Sequence, residues 1–210
     1  RSIIPRWRRR RSEKRYTAAC LYKQQLYAEA NYLYALIYDQ YEPMKAIAYL
    51  GFHPQEEQDW NECINNAKNI REKTALWQLL GIYANDPLRA MKEIYTMDPS
   101  SDLMDLLLVR AVNITEEKML PTRDSYFFPA SSTYELRPDS ASKEFVDFVI
   151  KTAEQQKAHK PYLWRLAAGY LLLVQKKYAA ADMQLNTALS LIKNDSLVSD
   201  QVRSLRLISK

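Results

Sequence analysis

Apolar and polar positions alternate most regularly in the stretch from Pro161 to Ile192. Counting from Ala181, Leu185, Ala188 and Leu189 follow at 4, 7 and 8, with Tyr178 three before, which is the period of one helix face. A second apolar run, Leu166 to Val174, precedes it across the polar Gln175-Lys176-Lys177. The pattern predicts a helix, a tight turn and a second helix. Gly169 falls mid-helix, and together with Ala181 and Ala188 it lets two helix axes approach closely. Leu185 and Leu189 then fill the space beside these small residues.

Gly169, an Ala twelve positions on, the bulky Leu185 four later and Ala188 three after that follow the spacing of a tetratricopeptide repeat, which the stretch resembles. Two partial matches lie upstream, over 22–51 and 70–97. Glu42-Pro43-Met44-Lys45-Ala46 is echoed 44 residues later by Asp86-Pro87-Leu88-Arg89-Ala90. An acid followed by Pro is a helix start with a physical reason, since the first helical N–H has no intrahelical partner to lose. The echo puts Ala46 and Ala90 in the place of Ala181, and Gly81 in the place of Gly169. Self-similarity at a fixed period marks a repeat array. The resemblance implies an all-α fold, a right-handed α-solenoid of tetratricopeptide-like hairpins that serves as a binding scaffold, and it names no partner.

Along the rest of the chain, Ser12 is expected to cap one long helix running to about Tyr41, with Leu26, Ala30, Leu33 and Ile37 on its apolar face. Gly51 and Pro54 close the next helix, and Trp60, Cys63, Ile64 and Ala67 mark another between Gln55 and Lys68. A helix with Leu103, Leu106, Leu107 and Val109 ends near Asn113, and Thr115 caps one short turn. The stretch 121–139 holds Pro121, Pro129 and Pro138 and reads as the one long insertion. Helix returns over 140–157, and a last, capping helix spans 196–208. The total is about ten helices, in one domain over 16–210 behind a basic arm at 1–15.

The net charge of +5 is unevenly placed. Residues 1–15 carry eight Lys or Arg against Glu13, or +7, so the remainder is −2. Arg6, Arg8, Arg9, Arg10 and Arg11 form the densest cluster. The arm is expected to be extended, with Trp7 packed. Its arginines are candidates for holding phosphate on nucleic acid or an anionic membrane surface, but the mildly acidic body carries no nucleic-acid motif, so that reading ranks last. No run of about 18 apolar residues is present, so no membrane span is expected. The chain starts at Arg1, which points to processing or to a piece of something longer. Cys20 and Cys63 make neither a disulfide framework nor a zinc site, and the compartment stays open.

The chemistry of catalysis is not legible. There is no phosphate-binding glycine loop, and His53 and His159 are the only histidines. No third ligand completes a metal set around His53, Glu56 and Glu57. The two acidic pairs, Glu56-Glu57 and Glu116-Glu117, are explained as complements to helix dipoles. We therefore expect no catalytic or metal-binding residue and no cofactor. Fifteen tyrosines are present, and eight of them lie between Tyr16 and Tyr49. Tyr27, Tyr34, Tyr38 and Tyr41 form a stripe at helical spacing that offers rigid, amphipathic contact area. Tyr126, Phe127 and Phe128 in the insertion are a second candidate contact. Together they point to a scaffold or adaptor within a larger assembly that binds a protein or peptide segment. Glycan binding by a helical-repeat protein of the cell envelope is the alternative.

Overall fold

The computed structural model describes residues 6–119, 140–193 and 195–209, with side chains from residue 13 and, after the gap, from residue 142. The side chains of Trp7 and of Arg6, Arg8, Arg9, Arg10 and Arg11 lie outside that range. The insertion with Tyr126, Phe127 and Phe128 lies outside the described residues altogether. Among the described residues every regular element is helical: eleven α-helices and one 3₁₀ turn.

The chain divides into two compact units, Arg1–Asp98 and Pro99–Lys210. In the first unit α1 (Arg6–Lys23), α2 (Tyr27–Gln40), α3 (Lys45–Gly51), α4 (Glu57–Asn65), α5 (Ile70–Tyr83) and α6 (Pro87–Met97) follow in order. α2 is central and packs on α1, α3, α4 and α5, while α6 pairs with α5. Its core joins Ala18, Ile37, Phe52, Trp60, Cys63, Leu76 and Leu79. In the second unit α7 (Met104–Met119), α8 (Ser140–Gln155), α9 (Pro161–Val174), α10 (Tyr178–Leu191) and α11 (Ser196–Ile208) surround α9, which touches all four others.

Three of these helix pairs, α1–α2, α5–α6 and α9–α10, share one register. Each first helix ends at a non-glycine residue in the left-handed region, Gln25 (φ 64), Asn85 (φ 54) or Lys176 (φ 60), and the next helix begins two residues later. At Gln25 and Lys176 the turn closes with two backbone bonds that satisfy the last carbonyls of the helix. Leu26 N donates to Leu21 O and Gln25 N to Tyr22 O, and likewise Lys177 N to Leu172 O and Lys176 N to Leu173 O. Three residues into each second helix stands Ala30, Ala90 or Ala181, at most 2% exposed. Four residues later come Tyr34, Ile94 and Leu185, all buried. Twelve residues before each alanine lie Ala18, Gln78 and Gly169. Gly169 faces α10 so closely that a Cβ there would sit 2.6 Å from Leu185 Cγ.

Several expectations are corrected by this arrangement. The long helix from Ser12 to Tyr41 is two helices, and Leu26, placed on its apolar face, is 41% exposed in the turn. Residues 6–11, expected to be extended, are helical, because arginine is a good helix former and nothing in Arg6–Arg11 interrupts α1. Pro43 opens a 3₁₀ turn directly after α2, and Ala46 beyond it is exposed; Ala48 is the buried residue of α3. The 44-residue echo is therefore shared helix-start chemistry rather than a shared hairpin position. Gly81 does lie in a helix, but Gln78 stands where Gly169 does. α7 runs unbroken past Asn113, with Thr115 buried within it rather than capping a new turn.

Candidate functional site

The helix starts of the first unit build a pocket. After α3, Phe52 packs fully buried, and His53 N donates to the buried Asn31 Oδ1 at 2.8 Å, which ties the following Pro54-Gln55 segment to α2. Glu56 caps α4 in a reciprocal pair with Asp59, whose Oδ2 accepts from Glu56 N at 3.3 Å. That start fixes Trp60 one turn in. Asp86 caps α6 by accepting from Arg89 N at 3.1 Å, and Pro87 follows at the first helical position. Arg89 is thereby aimed back over α5.

Trp60 from α4 and Trp77 from α5 meet edge to face, with ring centroids 5.0 Å apart and planes at 73°. Trp60 is 3% exposed and Trp77 is half-buried. The Arg89 guanidinium lies 5.4 Å from the centre of the Trp77 ring, and its Nη2 is 3.0 Å from Glu57 Oε1. Behind them is a pocket of about 260 Å³, to which Gly81, Tyr83, Gln55, Glu56 and Asp86 also contribute.

Tyr83 connects the pocket to a cluster of aromatic rings. It packs edge-on against Phe52 (5.7 Å) and His53 (5.5 Å), with its hydroxyl 3.3 Å from His53 Nδ1. Gln55 Nε2 donates to the Tyr22 hydroxyl at 2.7 Å and to His53 O at 3.1 Å. Tyr22 in turn packs against Tyr27 at 4.9 Å. Burial and the neighbouring phenols of Tyr27 and Tyr83 push the Tyr22 phenol above its ordinary pKa.

The tyrosine stripe does not form one open face. Tyr34 and Tyr38 are 7% and 8% exposed. Tyr34 packs over Gly51, where a side chain would collide with its ring, and Lys45 Nζ stands 5.5 Å from the centre of the Tyr38 ring. Burial raises both phenols above the usual tyrosine value. These two are core residues because α2 is covered on several sides. Tyr27, at the start of α2, reaches the aromatic cluster, and Tyr41, just past its end, lies under Lys14 at 5.6 Å. Trp60, Trp77, Tyr83, Arg89 and Glu57 were not singled out as a site by the sequence. The rarity of Trp was the available signal, with four in the chain and two of them 17 positions apart on adjacent helices.

In the second unit, a more apolar pocket of about 420 Å³ lies between α7, α9 and α11, lined by Leu108, Leu166, Tyr170 and Leu205 among others. Burial and a hydrogen bond to Glu116 push the Tyr170 phenol up to about 12. His159 and Lys160 both reach Asp105 Oδ2 at 3.1 Å. Among the described residues no three His, Cys, Asp or Glu side chains gather as a metal site, and no helix is long and apolar enough to cross a membrane. Set against family models, curated proteins and solved structures, the chain matches none of them.

Proposed function

We propose that this chain is a non-catalytic binding scaffold, a right-handed solenoid of tetratricopeptide-like hairpins, that holds an extended segment of a partner protein. The common register of α1–α2, α5–α6 and α9–α10, with its left-handed turn and its buried alanine three residues into the second helix, supports the repeat reading. The observation that carries the binding reading is the pocket beside Trp60 and Trp77. Rigid aromatic rings there stand next to an arginine and several carboxylates, which is the mixture that gives peptide contacts both area and orientation.

Selection of random peptides displayed on phage against the folded protein tests this. Enriched peptides are expected to lose at least about tenfold in affinity, or 1.4 kcal/mol, on Tyr83→Ala or Trp77→Ala, with circular dichroism unchanged for the more exposed Tyr83 variant. Affinity should be unaffected by Leu197→Ser on the second unit, where Leu197 is 82% exposed. Failure to enrich any peptide, or binding indifferent to both pocket variants, overturns the proposal.

A further inference from the structure

We infer that the pocket between α4, α5 and α6 takes a positively charged side chain, arginine in preference to lysine, from the bound segment. This rests on the segment-binding reading above and specifies what the pocket recognises.

The lining carries Glu56, Glu57 and Asp86 against Arg89, a formal charge of −2. The N-termini of α4 and α6 both border it, and each is equivalent to roughly half a positive charge, so the lining stays near −1. α4 contains no basic residue. A carboxylate entering here meets net repulsion, and a cation meets net attraction. Glu56 and Asp86 each cap a helix, and a carboxylate offers about four acceptor sites in all, so capping does not exhaust them.

The protein shows how this pocket holds a guanidinium, because Arg89 is held in that way. It stacks over Trp77 and pairs with Glu57 at the pocket wall. The rest of the lining offers the same two ingredients, with Tyr83 as a ring and Glu56 and Asp86 as carboxylates, while Arg89, the one basic residue of the lining, is paired with Glu57. Tyr83 is 37% exposed, so its ring is open to contact. A planar, weakly hydrated guanidinium stacks on a ring and forks to a carboxylate in one placement, whereas the compact ammonium of lysine keeps more of its water.

The test uses the full chain labelled with ¹⁵N, following the indole N–H signals of Trp60 and Trp77 at physiological salt. The probes are the N-acetyl methylamides of arginine, lysine and citrulline, the last being an uncharged match in shape, and methyl α-glucopyranoside. Arginine is expected to give a saturable shift with a dissociation constant in the millimolar range, lysine to bind about threefold or more weakly, and citrulline and the glucoside not to saturate. Glu56→Gln combined with Asp86→Asn keeps an acceptor oxygen at each cap and should weaken arginine by about threefold or more. Equal shifts from arginine and citrulline overturn the inference, as does the absence of any shift. Saturation by the glucoside alone overturns it in favour of a glycan ligand. Display-selected peptides that need Tyr83 but hold no basic residue defeat this inference and leave the scaffold reading standing.

Discussion

Gly169 offers a test in which two opposing effects can be weighed. Replacing glycine by alanine inside a helix ordinarily gains about 0.8–1 kcal/mol, because alanine loses less conformational freedom. Here the added methyl would lie 2.6 Å from Leu185 Cγ and Cδ2 and 3.4 Å from the Ala181 carbonyl oxygen. Carbon atoms rest at about 3.5–4.0 Å, so Leu185 must retreat by roughly 1 Å. It is completely buried in a cluster with Leu172, Ala181, Ala188 and Val202, so retreat disturbs other packing. Overpacking of this kind costs about 1–3 kcal/mol. The steric term outweighs the helix gain, and Gly169→Ala should lose about 1 kcal/mol, which lowers the melting temperature by about 2–4 °C. Urea unfolding followed by Trp164, which lies in α9, gives the midpoint shift when Trp7, Trp60 and Trp77 are replaced by Phe. Leu185→Ala alone should cost about 2–5 kcal/mol. Combined with Gly169→Ala it should cost less than the sum, with a coupling of about 0.5 kcal/mol or more, because the new methyl enters the vacated space. A Gly169→Ala protein more stable than its parent, with an additive cycle, would refute the close approach of α9 and α10.

The corrected register predicts that Ala46→Leu changes stability by no more than about 0.5 kcal/mol, whereas Ala90→Leu costs about 1–3 kcal/mol, as read from melting curves. Replacing Gln25 or Lys176 by Gly relieves a left-handed residue and should raise stability by up to about 1 kcal/mol; a loss in both would contradict the turn geometry. Cys63 is buried, its thiol pushed up to about 12 by desolvation first and then by the Asp59 and Glu29 charges, so iodoacetamide should modify exposed Cys20 in the native protein and Cys63 only after unfolding. Desolvation works to raise the Glu72 pKa, but bonds from Lys68 N, the Tyr32 hydroxyl and Asn69 outweigh it and hold the carboxyl below its ordinary value of 4.5. A depressed folded value stabilises above the unfolded pKa, so Glu72→Gln should cost on the order of 1 kcal/mol at pH 7, with the difference from the parent fading as pH falls below about 4.5. A difference that persists at low pH would show that the carboxylate charge is not the cause.

The hairpin of α9 and α10 was legible because its turn is polar and its helices are strongly periodic. The break between α1 and α2 was not, since neither Gly nor Pro marks it and Gln25 adopts the left-handed conformation in their place. The Glu-Pro and Asp-Pro signals located two helix starts correctly, but an N-terminal signal says nothing about which neighbour a helix will meet. Ala46 and Ala90 consequently have opposite environments. The tyrosines misled for a related reason. Helical spacing gives the face on which Tyr34 and Tyr38 lie, but not that α3 would cover it. The pocket was out of reach because Trp60, Trp77 and Arg89 come from three helices whose convergence is set by the tie from His53 to Asn31 and by the two caps.

The twelve-residue spacing within each hairpin also bears on how the chain reaches its native state. Partners such as Gly169 and Ala181 are joined by a closed turn of two backbone hydrogen bonds, so their contact requires only a short loop to close. The entropic cost of closing a loop rises with its length, and chains dominated by such near-neighbour contacts fold in microseconds to milliseconds. The α9–α10 pair therefore needs no distant segment in order to start forming. In refolding experiments its contacts should precede those between α7 and α9, which must bridge the whole stretch from 120 to 160.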